Sequence, residues 1–171
     1  MLTHIWRMLR AQLKPAASAS PSLKKVVLVG AGVFLGLAVV AFLAVLSGQP
    51  WLLGSFGASC VLLFGFPNVP FSQPRNVIGG HMLSSALGLA FLWLLGPSWW
   101  ALAAAGAAAA MLMLYTQTVH PPAGSNPVIV FLSDPGWGFL WLPTLFGAIL
   151  LVLLAKAYAV LLRRWAPAVV G

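Results

Sequence analysis

The chain has 171 residues, of which 61% are hydrophobic and 6% charged, and its mean hydropathy is +1.01. No water-soluble core needs that composition, which excludes a soluble enzyme or binding domain and indicates an integral membrane protein. Nine Lys+Arg against one acid give a net charge of +8. Those cations sit at the chain ends and in one loop, as the positive-inside rule requires, and not on a basic face for nucleic acid.

Residues 1–25 carry Arg7, Arg10, Lys14, Lys24 and Lys25, with Leu2, Ile5, Trp6, Leu9 and Leu13 on one helical face. Two readings stand: a helix lying in the headgroup layer, or a basic tail that only fixes orientation. Residues 16–22 form a Ser/Pro/Ala linker. The apolar run that follows is too long for a signal-peptide core and has no cleavage site after it, so it is expected to stay.

Residues 26–164 read as one transmembrane domain. Segment one, Val26 to Leu46, is long enough to span, and Gly32 and Gly36 give it a close-packing face. Next, Ser47 to Ser59 begins with turn residues and becomes Gly/Ser-rich. A helix from Ser55 to Phe66 would cover about twelve residues, roughly half a bilayer. Ser55 is expected to cap it, leaving the Phe56, Gly57 and Ala58 amides at its open end. The lone Cys60 excludes an intrachain disulfide and reads as a small packing residue. After a loop over residues 67–74, segment three runs from Arg75 to Leu95, with Gly80, Ser84 and Gly88 as a small-residue stripe. Segment four, Trp99 to Tyr115, is alanine-rich, and segment six, Phe139 to Leu162, is expected to kink at Pro143 and Gly147.

Between them lies TQTVHPPAGSNPVIVFL, residues 116–132, with three prolines inside a membrane-embedded region. Pro121 and Pro122 disfavour helix before them and suit a first helical turn, so the chain is expected to run extended through His120 and start a helix near Pro122. That helix would be about eleven residues, roughly 16 Å, or half a membrane. Its positive end would then lie at mid-depth, a suitable wall for an anion site.

The two halves, residues 26–96 and 97–164, both read long helix, broken segment with short helix, long helix. Three crossings per half make the second half inverted, so the expected fold is an all-α polytopic bundle with an inverted 3+3 repeat and two discontinuous half-helices. Both termini and Arg75 then face the cytoplasm; re-entrant hairpins would instead give four spans and an external Arg75.

The stretches GSFGASCVLLFG (54–65), QPRNVIGGH (73–81) and TQTVHPPAGSNP (116–127) resemble the HPP family of small integral membrane proteins, with His120-Pro121-Pro122 as the namesake motif. The resemblance runs from about Lys24 to Leu162. It implies an anion permease, since plant relatives are associated with nitrite import into plastids. The family is commonly described with four transmembrane segments, against six here.

His120, at the mouth of the second short helix, is the leading candidate, because an intramembrane ionisable group is a functional candidate by default. Neutral, it would hydrogen-bond a substrate; protonated, it would attract an anion and couple transport to protons. Its alternative role is to satisfy backbone freed by the proline break. Pro121, Pro122, Gly124, Ser125 and Asn126, with Ser55, Gly57 and Ser59 opposite, offer amides and hydroxyls for a small oxyanion or, equally, small residues for close packing. Arg75, His81 (with Ser85) and Gln117 are placed along the path or at its mouth. The only acid, Asp134, lies in an expected external turn, so membrane carboxylates of the kind cation carriers use are missing and an anion or neutral solute is favoured. No catalytic set, metal cluster or cofactor motif is recognisable. The expectation is therefore a non-enzymatic transporter for a small inorganic anion, nitrite first, in a bacterial inner membrane and forming homo-oligomers. The alternative is a non-catalytic membrane subunit or substrate-binding component that needs a partner protein.

Overall fold

The computed structural model describes residue 6 and residues 21–165, and among these there is no strand. The expected N-terminal interfacial helix, with Arg7, Arg10 and Lys14, lies outside the described residues.

Helix α1 spans Leu23–Ser47. The Ser22 hydroxyl accepts from the Lys25 amide at 3.3 Å, and Gly48 ends the helix at φ 64°, where a residue without Cβ is needed. Helix α2 spans Ser55–Cys60 and continues as a wider turn over Val61–Gly65. Helix α3 spans Pro74–Leu95, with proline in its first turn where a missing N–H costs nothing, and stops at Gly96. Helix α4 spans Trp99–Tyr115, capped by Ser98. The chain then turns at Gln117 (φ 55°) and runs extended through His120. It enters a tight turn at Pro121–Ser125 and continues as helix α5, Asn126–Ser133. Helix α6 spans Phe146–Trp165 after short turns at Trp137–Leu140 and Trp141–Leu145.

Among the described residues, three helical stretches, Leu23–Ser47, Pro74–Leu95 and Trp137–Trp165, are long and apolar enough to cross a membrane. The last is interrupted at Pro143, where a kink was expected. Leu142 is non-helical (φ −133°, ψ 119°), because the following proline disfavours helix before it. Gly147 has a different task from kinking: a Cβ there would lie 2.5 Å from the Phe56 ring, so the missing side chain is what lets Phe56 seat against α6.

The same economy joins the other elements. A Cβ on Gly32 would lie 2.5 Å from the Phe64 ring, and one on Gly36 would lie 3.1 Å from Cys60 Sγ, so α1 packs closely on the first broken segment. A Cβ on Gly80 would meet His120 Cβ at 2.8 Å and the Thr118 carbonyl at 2.9 Å, and one on Gly88 would meet Pro127 Cα at 3.0 Å. Helix α3 is therefore the post against which the second broken segment is laid, from Thr118 near its start to Val130 further along.

The ends sort by charge. Lys25, the loop after Gly65 and Leu162 line one cavity, and Arg75 donates to the Thr116 carbonyl at 2.8 Å. The start of α1, the 66–73 loop, the α4–α5 connection and the end of α6 thus share one end of the bundle. Arg75 sits at that end, together with both termini of the helical domain. Because α5 follows α3 toward its Leu95 end, Asp134 lies at the opposite one.

A buried histidine pair between two broken helices

The two broken segments meet at α3, and what lies between them is a chain of fully buried polar side chains. His81, His120, Ser59, Ser84, Ser85, Asn126 and Thr144 are each 0% exposed. Polar groups at such depth persist only when hydrogen-bonded, and the bonds form a connected path. His120 Nδ1 lies 2.7 Å from the Phe71 carbonyl, and its Nε2 lies 2.8 Å from Ser59 Oγ. Ser59 Oγ is also 3.0 Å from His81 Nε2. On the other side of that ring, His81 Nδ1 is 3.0 Å from Asn126 Nδ2, which donates on to Ser85 Oγ at 2.9 Å; Ser85 reaches Thr144 Oγ1 at 3.1 Å.

Counting protons fixes the direction of this path. A carbonyl only accepts, so His120 carries its proton on Nδ1 and its neutral Nε2 must accept. Ser59 has one proton and gives it to His120, so the His81 contact is satisfied only if His81 Nε2–H donates to Ser59. His81 Nδ1 is then an acceptor and faces the Asn126 amide, which donates. The path from the Phe71 carbonyl to Thr144 is satisfied with both histidines neutral and in opposite tautomers. This leaves the Ser55 carbonyl, 3.2 Å from Ser59 Oγ, and the His81 carbonyl, 3.3 Å from Asn126 Nδ2, as secondary acceptors. The His81 and His120 ring centroids are 5.0 Å apart, and Phe56 stands edge-on to His81 at 5.3 Å, closing the pair with an aromatic wall.

Among the described residues, two buried side-chain atoms are left without a hydrogen bond: Ser55 Oγ and Asn126 Oδ1. Ser55 does not cap the first short helix as expected. Gly54 occupies the cap position, and the Ser55 side chain is turned inward, 3% exposed.

Depth follows from α3. His81 is about 10 Å and Ser85 about 16 Å along a helix of about 33 Å, counted from its Pro74 end. The polar path therefore covers the half of the bundle nearer the basic end. Toward the other end the core turns apolar, with Leu89, Leu92, Val130 and Phe139 buried.

Of the residues singled out in the sequence, His120, His81, Ser59, Asn126 and Ser55 come together here, and Pro122 is buried beside them. Others do not join them. Pro121, Gly124, Ser125 and Gln117 are exposed on the outside of the bundle, and Gly57 is half-buried with open space where a Cβ would be. The reason is local: the first turn after His120 is tight, so Gly124 and Ser125 rotate away from α3, and the Ser125 hydroxyl closes on the Pro122 carbonyl at 2.8 Å. Arg75 is bound to the Thr116 carbonyl, and Asn76 donates to the Val119 carbonyl at 2.9 Å; together they clamp the extended stretch that delivers His120. Three participants had no functional reading in the sequence. Thr144 was hidden beside a proline read only as a kink, and Ser84 only as part of a packing stripe, although it donates to the Ala123 carbonyl at 2.6 Å. Phe71 contributes a backbone carbonyl, for which no side-chain signal exists.

Residues 18–167 match the family described as HPP, transmembrane region. The chain is also similar to two transmembrane proteins of Dictyostelium discoideum. One is 36% identical over 130 residues, covering 71% of this chain and 46% of the relative. The other is 34% identical over 134 residues, covering 71% and 43%. The chain thus spans less than half the length of these relatives, and no solved structure matches it significantly. With a match across nearly the whole helical domain, and with His120-Pro121-Pro122 at the head of its second broken segment, the chain belongs to the HPP transmembrane family.

Proposed function

We propose that this protein is a membrane transporter for a small inorganic anion, nitrite first, with the His120–Ser59–His81–Asn126 chain as its selecting core. The observation that carries the reading is that chain: hydrogen-bonded side chains from the two interrupted segments and α3, buried in the half of the bundle nearer the basic end, with Ser55 Oγ and Asn126 Oδ1 unsatisfied. Intramembrane polar groups are expensive, and an unsatisfied one more so, which favours a role in handling solute. The only carboxylate in the chain, Asp134, is at the far end, so a small cation has no anionic partner in the core. We read the two halves, α1–α3 and α4–α6, as inverted repeats meeting at this core, with the basic end facing the cytoplasm. The apolar half beyond Ser85 then makes the conformation one that is closed toward the acidic end.

The test is flux of nitrite and nitrate into liposomes holding the purified protein alone, under imposed anion and proton gradients. Uptake that His120→Ala abolishes and His81→Ala lowers less supports the reading. No uptake of either anion by a folded protein sinks it. Stable recovery of a second membrane protein, with uptake only when both are reconstituted, would instead establish a subunit of a larger transporter.

A further inference from the structure

Away from the histidine core, the basic end carries a cavity of about 270 Å³ between α1, the end of the first broken segment and α6. Its walls are apolar: Leu28 and Val29 from α1, Leu63 and Phe64 from the broken segment, Ala159 and Leu162 from α6. Lys25 and Asn68, both exposed, are on its rim. The other polar groups nearby are already engaged. The Tyr158 hydroxyl donates to the Leu28 carbonyl at 2.7 Å, and Ser72 Oγ lies 3.0 and 2.7 Å from the Leu62 and Phe66 carbonyls where the broken helix ends. A smaller cavity of about 110 Å³ adjoins it across Leu63, Pro67, Ala155 and Ala159, with Lys156 on its own rim.

We propose that this cavity is a binding site for an anionic phospholipid, with an acyl chain between α1 and α6 and the phosphate on Lys25 and Asn68. The volume is below the usual range for a drug-sized solute and suits a single chain. The charge suits only an anion: Lys24, Lys25, Arg75, Lys156, Arg163 and Arg164 gather at this end, and the one acid is at the other. Basic pockets between transmembrane helices are a general device for holding anionic headgroups. Occupancy would brace the Phe64 ring, which stands edge-on to Tyr158 at 5.6 Å and fills the notch at Gly32, and so tie α1 to the segment that carries Ser59.

The experiment is native mass spectrometry of the purified full chain in detergent, loaded with palmitoyl-oleoyl phosphatidylglycerol or with the phosphatidylcholine of the same chains. One phosphatidylglycerol per chain should be retained in preference to phosphatidylcholine. A lysine near the surface contributes about 1 kcal/mol to an anionic lipid, so Lys25→Gln should lower retention about fivefold. Lys24→Gln, one residue away and off the cavity, should lower it less than Lys25→Gln does. Ala159→Trp or Leu162→Trp, filling the cavity from two sides, should lower retention of either lipid in protein that keeps its melting temperature. Equal retention of the two lipids, equal losses for Lys24→Gln and Lys25→Gln, or displacement by inorganic phosphate alone would each overturn the proposal.

Discussion

Ser59→Ala is the most informative single change, because one hydroxyl joins both histidines. Its loss leaves His120 Nε2, an acceptor, and His81 Nε2–H, a donor, each on a residue that is 0% exposed. A buried polar group without a partner costs about 1–3 kcal/mol, so the pair costs about 2–6 kcal/mol, while the methyl group itself fits the space the serine held. The lower end applies if the rings close on each other, since the orphaned donor and acceptor are complementary and their centroids start 5.0 Å apart. Asn126 and the edge-on Phe56 resist that closure by fixing His81. The assay is reversible unfolding in mixed micelles for Ser59→Ala, His120→Ala and the double variant. The second substitution should cost less in the presence of the first, with a coupling of at least about 0.5 kcal/mol, because both remove the same bond. A Ser59→Ala protein as stable as the parent, or strictly additive losses, would refute the shared-hydroxyl reading.

Further outcomes follow from other contacts. In nitrogen-labelled protein at neutral pH, magnetic resonance of the ring nitrogens should show His120 protonated at Nδ1 and His81 at Nε2; the same tautomer on both would contradict the proton count. Gly80→Ala should destabilise by about 1–3 kcal/mol, since its Cβ would lie 2.8 Å from His120 Cβ and 2.9 Å from a backbone carbonyl, whereas Gly106→Ala, with open space, should be neutral or stabilising in the same unfolding assay. In a Cys60→Ala background, single cysteines at 25, 75 and 163 should react with an impermeant thiol reagent from one side of oriented vesicles, and one at 134 from the other. Reaction at 75 from the side of 134 would rule out the end assignment.

Much of this was legible in the chain. Proline at 121 and 122 dictates an extended approach and a late helix start wherever it occurs, so the break at His120 could be read directly. Stripes of small residues could be read as contacts, and Gly32, Gly36, Gly80 and Gly88 all prove to be close approaches. What the residues could not disclose was rotation about the helix axis. Whether Gly124 and Ser125 face the core or the surroundings depends on how tightly the turn after Pro121 is wound, and a tight turn differs from an α-turn by a rotation too small to leave a compositional trace. Ser55 and Ser59 read alike in sequence, yet only Ser59 finds both rings. Ser55 is displaced from its expected capping role because Gly54 takes that position. Thr144 and the Phe71 carbonyl arrive from distant parts of the chain, and only the tertiary arrangement brings them to the histidines.

The Ser59 hydroxyl is 3.2 Å from the Ser55 carbonyl as well as 2.8 Å from His120. Were His120 to gain a second proton, its Nε2–H would point at Ser59 oxygen, beside the His81 donor already there, and the serine's hydrogen would swing to Ser55. Oxygen has two lone pairs for the two imidazoles, and the carbonyl takes the hydrogen. The hydrogen bonds of the core can thus follow a second proton on His120 by the turning of a single hydroxyl, with no heavy atom displaced.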